Sequence, residues 1–468
     1  QGEVFELPSG PLQAALGAST RRNTFAFRPD SLLDTHSIEY PIGLFPTSPT
    51  VGETEVKELY AEALVPVLSD LPFIKEFNLE LGARYSDYNT SGGIWTYKSL
   101  VDWSVNDDLR IRGGYQLANR APNTAELFLG SSTSVVPFAG GDPCLTNTLN
   151  TWGNLPGNPN QAKVVALCNV INEKSGFPNT PYKQNPNAIV GPFAFNFPLE
   201  LAITSGNPNL RNEEADTFTL GFVMNSPFEG ILESATLAVD WYQIEIADAI
   251  APGDSWSVYA KCFNQDGSNP TYSYVESCEL IARDQDGYRA TVVTPYLNLG
   301  GIETSGIDVQ FNWGFDAFGG ALNLSSVVNI LDYYRNQQTA KDPWIDHTGT
   351  LSQGGQYDYR VLNTLTYSRD GWSVGLRHNF LPEIENLAYA TNKATPVQGA
   401  DSYHNFAAFG GYTVSDKIAL RAGIDNLFDQ DPEIVGYNPG VTNARGATSP
   451  GYYDPIGRRY YLGVDLSF

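Results

Sequence analysis

The chain has 468 residues and a formal net charge of −24, with 26 Tyr, 24 Phe and 8 Trp against a single Met. That charge excludes the basic footprint that nucleic-acid binding requires, and no run of about 18 apolar residues offers a transmembrane helix. A slightly negative mean hydropathy does not exclude a membrane crossed by strands, because half the side chains of such a strand are polar.

Side chains of a strand point alternately to opposite faces, and that alternation recurs along most of the chain. Segments 2–7 and 11–27 flank the turn Pro8-Ser9-Gly10-Pro11, and segment 54–65 follows a long connection, 28–53. In 75–88, Phe77, Leu79, Leu81, Ala83 and Tyr85 alternate with Asn78, Glu80, Gly82 and Arg84. Segment 94–105 precedes 108–118, where Leu109, Ile111, Gly113, Tyr115 and Leu117 alternate with Arg110, Arg112, Gly114 and Gln116. The longest connection, 119–212, leads to 213–225, in which Phe218, Leu220, Phe222 and Met224 share one parity. A strand at 235–247 is followed by a second long connection, 248–290, and then by strands at 291–315 and 320–333. In the first of these, Ile307, Val309, Phe311 and Trp313 stand against Asp308, Gln310 and Asn312. The pairs 357–369 with 371–382 and 402–414 with 416–427 come next, separated by long connections at 334–356, 383–401 and 428–456. The last segment, 457–468, places Tyr460, Leu462, Val464, Leu466 and Phe468 on one parity and Tyr461, Gly463, Asp465 and Ser467 on the other.

The polar parity carries charges of both signs. A globular core would not accept Arg110, Arg112, Glu80 or Arg421 without partners, whereas a wide wet lumen would; a large soluble all-β protein with these charges in solvent is the other reading. The pattern predicts an all-β fold, a transmembrane antiparallel β-barrel with about fifteen strands in this chain and long extracellular loops. Short turns at 8–11, 69–72, 106–108, 226–230, 318–320, 369–371 and 415–417 would then be periplasmic. In that order the first and last strands both descend. An odd number does not close a bacterial single-chain barrel, and open edges in lipid are untenable, so further strands are expected before Gln1. Gln1 itself opens no export sequence, which reads as a mature segment.

Four cysteines form two local pairs, Cys144 with Cys168 and Cys262 with Cys278, each inside one long connection. Loop-stapling disulfides in an oxidising compartment are the economical reading. Their spacings match no zinc pattern, and none of His36, His347, His378 or His404 lies near them in sequence, so no metal or cofactor site is expected. Acidic runs such as Asp284–Asp286 bind divalent cations or simply stay solvated. No catalytic motif of the GxSxG, HExxH or P-loop kind occurs, so no catalytic residue is expected and the chain does not read as an enzyme.

Several segments resemble one family. Arg112 to Phe128, with Arg120-Ala121-Pro122 followed by Glu126-Leu127, is similar to the strand-end motif of TonB-dependent outer-membrane receptors. Asp425-Asn426-Leu427-Phe428-Asp429 resembles the segment near the C-terminus of those proteins. Asn298-Leu299-Gly300 followed by Thr304-Ser305-Gly306-Ile307-Asp308 resembles a third pattern, with Asp308 where Glu is usual. Phe468 resembles the terminal signal of barrel-assembly machinery. The resemblance spans essentially all of residues 1–468 and implies a barrel of about 22 strands with a plugged lumen. This chain would supply strands 8–22, with the plug, the TonB box and the first seven strands upstream. It also implies the bacterial outer membrane as location. The implied partners are outer-membrane lipid, the TonB energy-transducing complex acting through the plug, and a complementary N-terminal barrel segment or chain.

The expected function is energy-coupled uptake of a scarce nutrient, with ferric siderophore, cobalamin, oligosaccharide and similar ligands all open. Trp152, Trp256, Tyr259, Trp344 and Tyr437 either stack on such a ligand or anchor their own loops. The motif residues Arg120, Ala121, Pro122, Glu126, Leu127, Asn426, Leu427, Phe428 and Phe468 read as structural; Arg120 is expected to bind loop carboxylates or carbonyls where Pro122 ends the ladder. The rival function is a structural or docking barrel that anchors a surface partner or subunit. A passive porin fits less well, since porins commonly have about 16–18 strands.

Overall fold

The computed structural model describes residues 1–34, 47–137, 143–144, 158–177, 199–283, 290–337, 342–351, 356–386, 389, 398–435, 448–449 and 451–467. Among them a sixteen-stranded sheet dominates. Six strands come first: β1 (Gly2–Leu7), β2 (Gly10–Phe27), β3 (Thr50–Leu71), β4 (Ile74–Tyr88), β5 (Gly92–Ser104) and β6 (Leu109–Arg120). After a long excursion come β7 (Glu213–Asn225), β8 (Thr236–Ala247), β9 (Gly301–Ala317) and β10 (Gly320–Gln337). The path ends with β11 (Tyr359–Arg369), β12 (Trp372–Leu381), β13 (Tyr403–Ser415), β14 (Ile418–Asp425) and β15 (Arg459–Leu466). Each pairs antiparallel with the next, so the order in space is the order in sequence; the short strand Ile345–Asp346 is attached only to β10.

The register carries the two parities of each strand onto two continuous faces. Phe77 lies beside Trp103, Trp103 beside Ile111, Ile111 beside Phe222 and Phe222 beside Val239. This apolar face is not covered by other parts of the protein: Leu16 and Leu462 are each 78% exposed. Trp372, Leu420 and Leu466 on the same face are exposed as well, with no second sheet packed against them among the described residues. The other face is a lattice of ion pairs between strands that are adjacent or, for Arg112 on β6 and Asp240 on β8, one strand apart. Arg112 grips Asp240 through two hydrogen bonds of 2.7 and 2.8 Å, Lys98 lies 2.5 Å from Glu80, Arg110 pairs with Asp102, and Arg421 sits 3.7 Å from Asp465. Charges at half-exposed positions set register and hydration more than stability, each such pair contributing about 0–1 kcal/mol.

Buried cores sit in the connections rather than in the sheet. The excursions between β6 and β7 and between β8 and β9, expected as loops, fold together into a small domain. It includes helices α1 (Thr124–Phe128), α2 (Gln161–Lys174), α3 (Ser255–Cys262) and α4 (Glu276–Glu279) and a five-stranded sheet. One loop supplies Ser132–Pro137 and Leu199–Ser205; the other supplies Ile250–Pro252, Ile281–Arg283 and Ala290–Asn298. The two loops join where Leu199–Ser205 pairs in parallel with Ala290–Asn298. Val164, Leu167, Ile171, Val258, Phe263, Ile281 and Val292 form its core, together with both disulfides, Cys144–Cys168 and Cys262–Cys278.

This corrects the single strand expected over 291–315. Its first part belongs to the loop sheet, and the ladder restarts at Gly301 because Asn298 turns the chain. The Asn298 side chain donates to the carbonyls of Arg211 and Asp248 and accepts from the Arg211 amide. A second loop cluster gathers the connections β10–β11, β12–β13 and β14–β15 around Leu351, Tyr357, Leu381, Ile384, Tyr403 and Tyr453.

Candidate functional site

On the polar face of β2 to β6, towards the loop ends, the sheet holds a concavity of about 380 Å³. Its wall follows from period 2: Arg21 on β2, Glu58, Tyr60 and Glu62 on β3, Arg84 and Tyr88 on β4, Lys98 on β5 and Gln116 on β6 all share the polar parity. Glu58 is the organising acid. It accepts from Ser19 Oγ at 2.9 Å and Ser86 Oγ at 3.0 Å and lies 3.6 Å from Arg84 Nη1. The Arg84 guanidinium sits 5.0 Å above the Tyr60 ring, a cation–π geometry. Tyr60 can lie flat against β2 because Gly17 stands opposite, where a Cβ would meet the ring at 2.2 Å. Cations and phenol rings thus share one wet hollow with the carboxylates of Glu58 and Glu62. None of Arg21, Tyr60, Arg84 or Tyr88 was a sequence-based candidate. The available signal was the run of Arg and Tyr on the polar parity in the loop-side part of β2 to β4.

The strand-end motif roofs this region. Arg120 Nη1 donates to both oxygens of Glu126 at 2.9 and 3.0 Å, and its Nε and Nη2 fork onto Glu213, the latter at 2.7 Å. Glu213 also accepts from the amide of Ile250 at 2.6 Å. Glu126 is the third residue of α1 and closes a capping box with Asn123, satisfying amides that a helix start otherwise leaves open. One guanidinium therefore ties together β6, α1, β7 and the loop sheet. Ala121 and Pro122 carry the chain out of the ladder, and Leu127 is buried under it.

The second motif is likewise a junction. Asn426, almost fully buried and at φ +50°, bridges Gln430 through both side-chain atoms at 2.8 and 2.9 Å. Leu427 donates its amide to the carbonyl of Phe406, and Phe428 meets the Phe406 ring edge-on at 5.4 Å.

The loop aromatics divide. Tyr259 is fully buried in the disulfide-stapled core beside Phe263, so it packs its own loop. Trp256, at the start of α3, is exposed. Trp344 is partly exposed with Arg335 5.4 Å from its ring. Trp152, Tyr437 and Phe468 lie outside the described residues. The second loop cluster also shifts its titratable groups. Burial raises the Tyr453 phenol and, helped by its 2.5 Å bond with Tyr453, the Tyr357 phenol. Burial, with Asp401 adding to it, raises the Glu433 carboxyl, and burial depresses the His347 imidazole. Among the described residues no group of three or more His, Cys, Asp and Glu side chains is arranged to hold a metal ion.

A family profile described as "TonB dependent receptor-like, beta-barrel" matches residues 3–427. Over 115 residues, 24% of this chain and 15% of the relative, the sequence is 28% identical to the ferric enterobactin receptor PirA of Pseudomonas aeruginosa. Among solved structures, the siderophore receptor PirA from Acinetobacter baumannii matches with a TM-score of 0.56 at 15% identity, covering 99% of this chain and 53% of that one. A mutant of the ferric enterobactin receptor PfeA from Pseudomonas aeruginosa matches with a TM-score of 0.59 at 16% identity, covering 98% and 51%. The chain spans about half the length of these solved receptors and a smaller share of the curated relative.

Proposed function

The chain belongs to the TonB-dependent receptor β-barrel family, and from that premise we propose that it forms the strand-rich C-terminal part of an outer-membrane receptor importing a ferric siderophore. The apolar face meets hydrocarbon and the ion-paired face lines the lumen. Exposure of large apolar side chains from Leu16 on β2 to Leu462 on β15 supports this, because a water-soluble protein would cover a patch of that size. β1 and β15 run in the same direction at the two edges, so an antiparallel barrel closes only through an odd number of further strands. In this reading a plug lies inside the completed barrel and takes the pull of the TonB complex from the periplasm.

The observation that carries the ligand class is the Arg21, Arg84, Tyr60 and Tyr88 wall. It gathers the cations Arg21 and Arg84 and two phenols, with Glu58 and Glu62 beside them, in a chain that is otherwise strongly acidic, and the relatives bear the names of siderophore receptors. Of the loop aromatics that the sequence offers for ligand stacking, Trp256 and Trp344 are exposed. Binding of ferric catecholate and ferric hydroxamate complexes to the full-length receptor, followed by intrinsic fluorescence, tests the reading. Arg84→Ala is expected to weaken the preferred complex about tenfold, the loss of roughly 1.4 kcal/mol. Failure of every ferric siderophore to bind would reject it.

A further inference from the structure

Three of the short turns share an arrangement that the remaining ones lack. The turn between β3 and β4 carries Phe73, the turn between β9 and β10 carries Phe318, and the connection between β7 and β8 carries Phe228 and Ile231. All four side chains are exposed, Phe318 at 89% and Phe73 at 78%. Phe73 and Phe318 also hold φ values of +63° and +54°, a backbone region unfavourable to a bulky residue. In each turn an aromatic residue on the apolar face reaches down and donates to a turn carbonyl. Trp103 Nε1 donates to Phe73 O at 2.9 Å, Trp313 Nε1 to Ile231 O at 2.6 Å and Tyr367 Oη to Phe318 O at 3.0 Å, a carbonyl that also accepts from Arg369 Nη1 at 3.2 Å. Of the other turns at this end, those between β5 and β6, β11 and β12, and β13 and β14 present Asp107, Asp370 and Asp416, and the one between β1 and β2 presents Pro8 and Ser9; the Phe228 connection carries Glu229 and Glu233 beside its apolar residues.

Carbonyls at the tip of a turn in bulk water are hydrated and need no protein donor. Donors supplied from the apolar side are needed where water is scarce, and indole and phenol groups favour the boundary between hydrocarbon and water. We propose that these three turns are seated in the headgroup layer of the membrane's periplasmic leaflet. There Phe73, Phe228, Phe318 and Ile231 enter the phospholipid as wedges while the charged turns remain in water. The occupant is a phospholipid surface, because the wedges continue the apolar face that begins a few residue pairs above them, at Phe77 beside Trp103 and Phe315 beside Leu322. This rests on the bilayer-spanning reading of the sheet.

The test uses single cysteines (Phe73→Cys, Phe318→Cys, Asp416→Cys and Leu420→Cys) in the full-length protein in phospholipid vesicles, each carrying an environment-sensitive fluorophore. Lipids spin-labelled near the headgroup and aqueous iodide serve as competing quenchers. The Phe73 and Phe318 probes are expected to lose most of their fluorescence to the labelled lipid and little to iodide, and the Asp416 probe the reverse. Phe73 and Phe318 probes quenched like the Asp416 probe overturn the inference, and so does protection from both quenchers, which indicates a covering protein. The Leu420 probe separates the two claims: lipid quenching there keeps the bilayer reading alive even when the turn probes fail, and its absence removes both.

Discussion

At the scale of single residues, the junctions matter more than the ladder. Arg120 is 43% exposed at its side chain, but its acids Glu126 and Glu213 are only 10% and 14% exposed. Removing the cation strands two poorly hydrated carboxylates. Cutting one partner from a fully buried pair costs about 3–5 kcal/mol, and the wet side of this one reduces that to about 1–3 kcal/mol. Arg120→Ala is therefore expected to open α1, read as faster amide exchange over 124–128 with the β6–β7 ladder intact. Arg120→Lys should recover only part of the protection, since an ammonium does not reproduce a fork onto two carboxylates; full recovery would argue that charge alone suffices.

His347 supplies a pH dependence. Burial depresses its folded-state pKa below the ordinary 6.5, so on acidification the unfolded loop takes up the proton first. Its contribution is present above pH about 6.5 and is lost as pH falls through the depressed value. Protection over 342–351, taken relative to the intrinsic exchange rate at each pH, should fall between pH 7.5 and 5, and His347→Gln should flatten that response. The anchoring of Arg120 was readable from sequence because Pro122 stops the ladder directly after it and acids follow nearby. The burial of Tyr259 was not, because its neighbours Val164, Leu167 and Ile171 come from a segment about ninety residues away.

At the scale of elements, local order and non-local order separate cleanly. Hairpin strands such as β4, β5 and β6 were legible because alternation, aromatic ends and Asp- or Gly-bearing turns all lie within a few residues. The loop domain was not legible, since its central pairing joins Leu201–Ser205 to Thr291–Pro295 in parallel, and a parallel pair leaves no turn signature in the sequence. That same alternation made 291–298 look continuous with β9. A domain assembled from two loops needs staples, and the disulfides supply them. Closing a loop of about 15 residues contributes roughly 3 kcal/mol, so Cys262→Ala with Cys278→Ala should unfold the α3–α4 region first. Limited proteolysis is expected to cut within 255–283 while strands β7 to β9 stay protected. Simultaneous loss of the strands would mean that the loop domain and the sheet fold as one cooperative unit.

At the scale of the molecule, the edges decide what kind of object the sheet is. Every neighbouring pair from β1 to β15 is antiparallel, so each step reverses direction and both edge strands point towards the short-turn end. Joined directly, they would make a parallel seam in a sheet that is otherwise antiparallel throughout. In hydrocarbon an unpaired edge is the worse alternative, because each open amide and carbonyl costs several kcal/mol. The proposed completion by intervening strands avoids both. It predicts that cysteines at Glu3 on β1 and Asp465 on β15 do not cross-link in the full-length protein in a bilayer. The control pair is Ala419 with Asp465, directly opposed on β14 and β15, which should oxidise readily. A high yield for the Glu3 and Asp465 pair would mean that the two edges meet, and the sheet would then be a smaller barrel closed by a parallel seam, with a lumen too narrow for the plugged receptor proposed here.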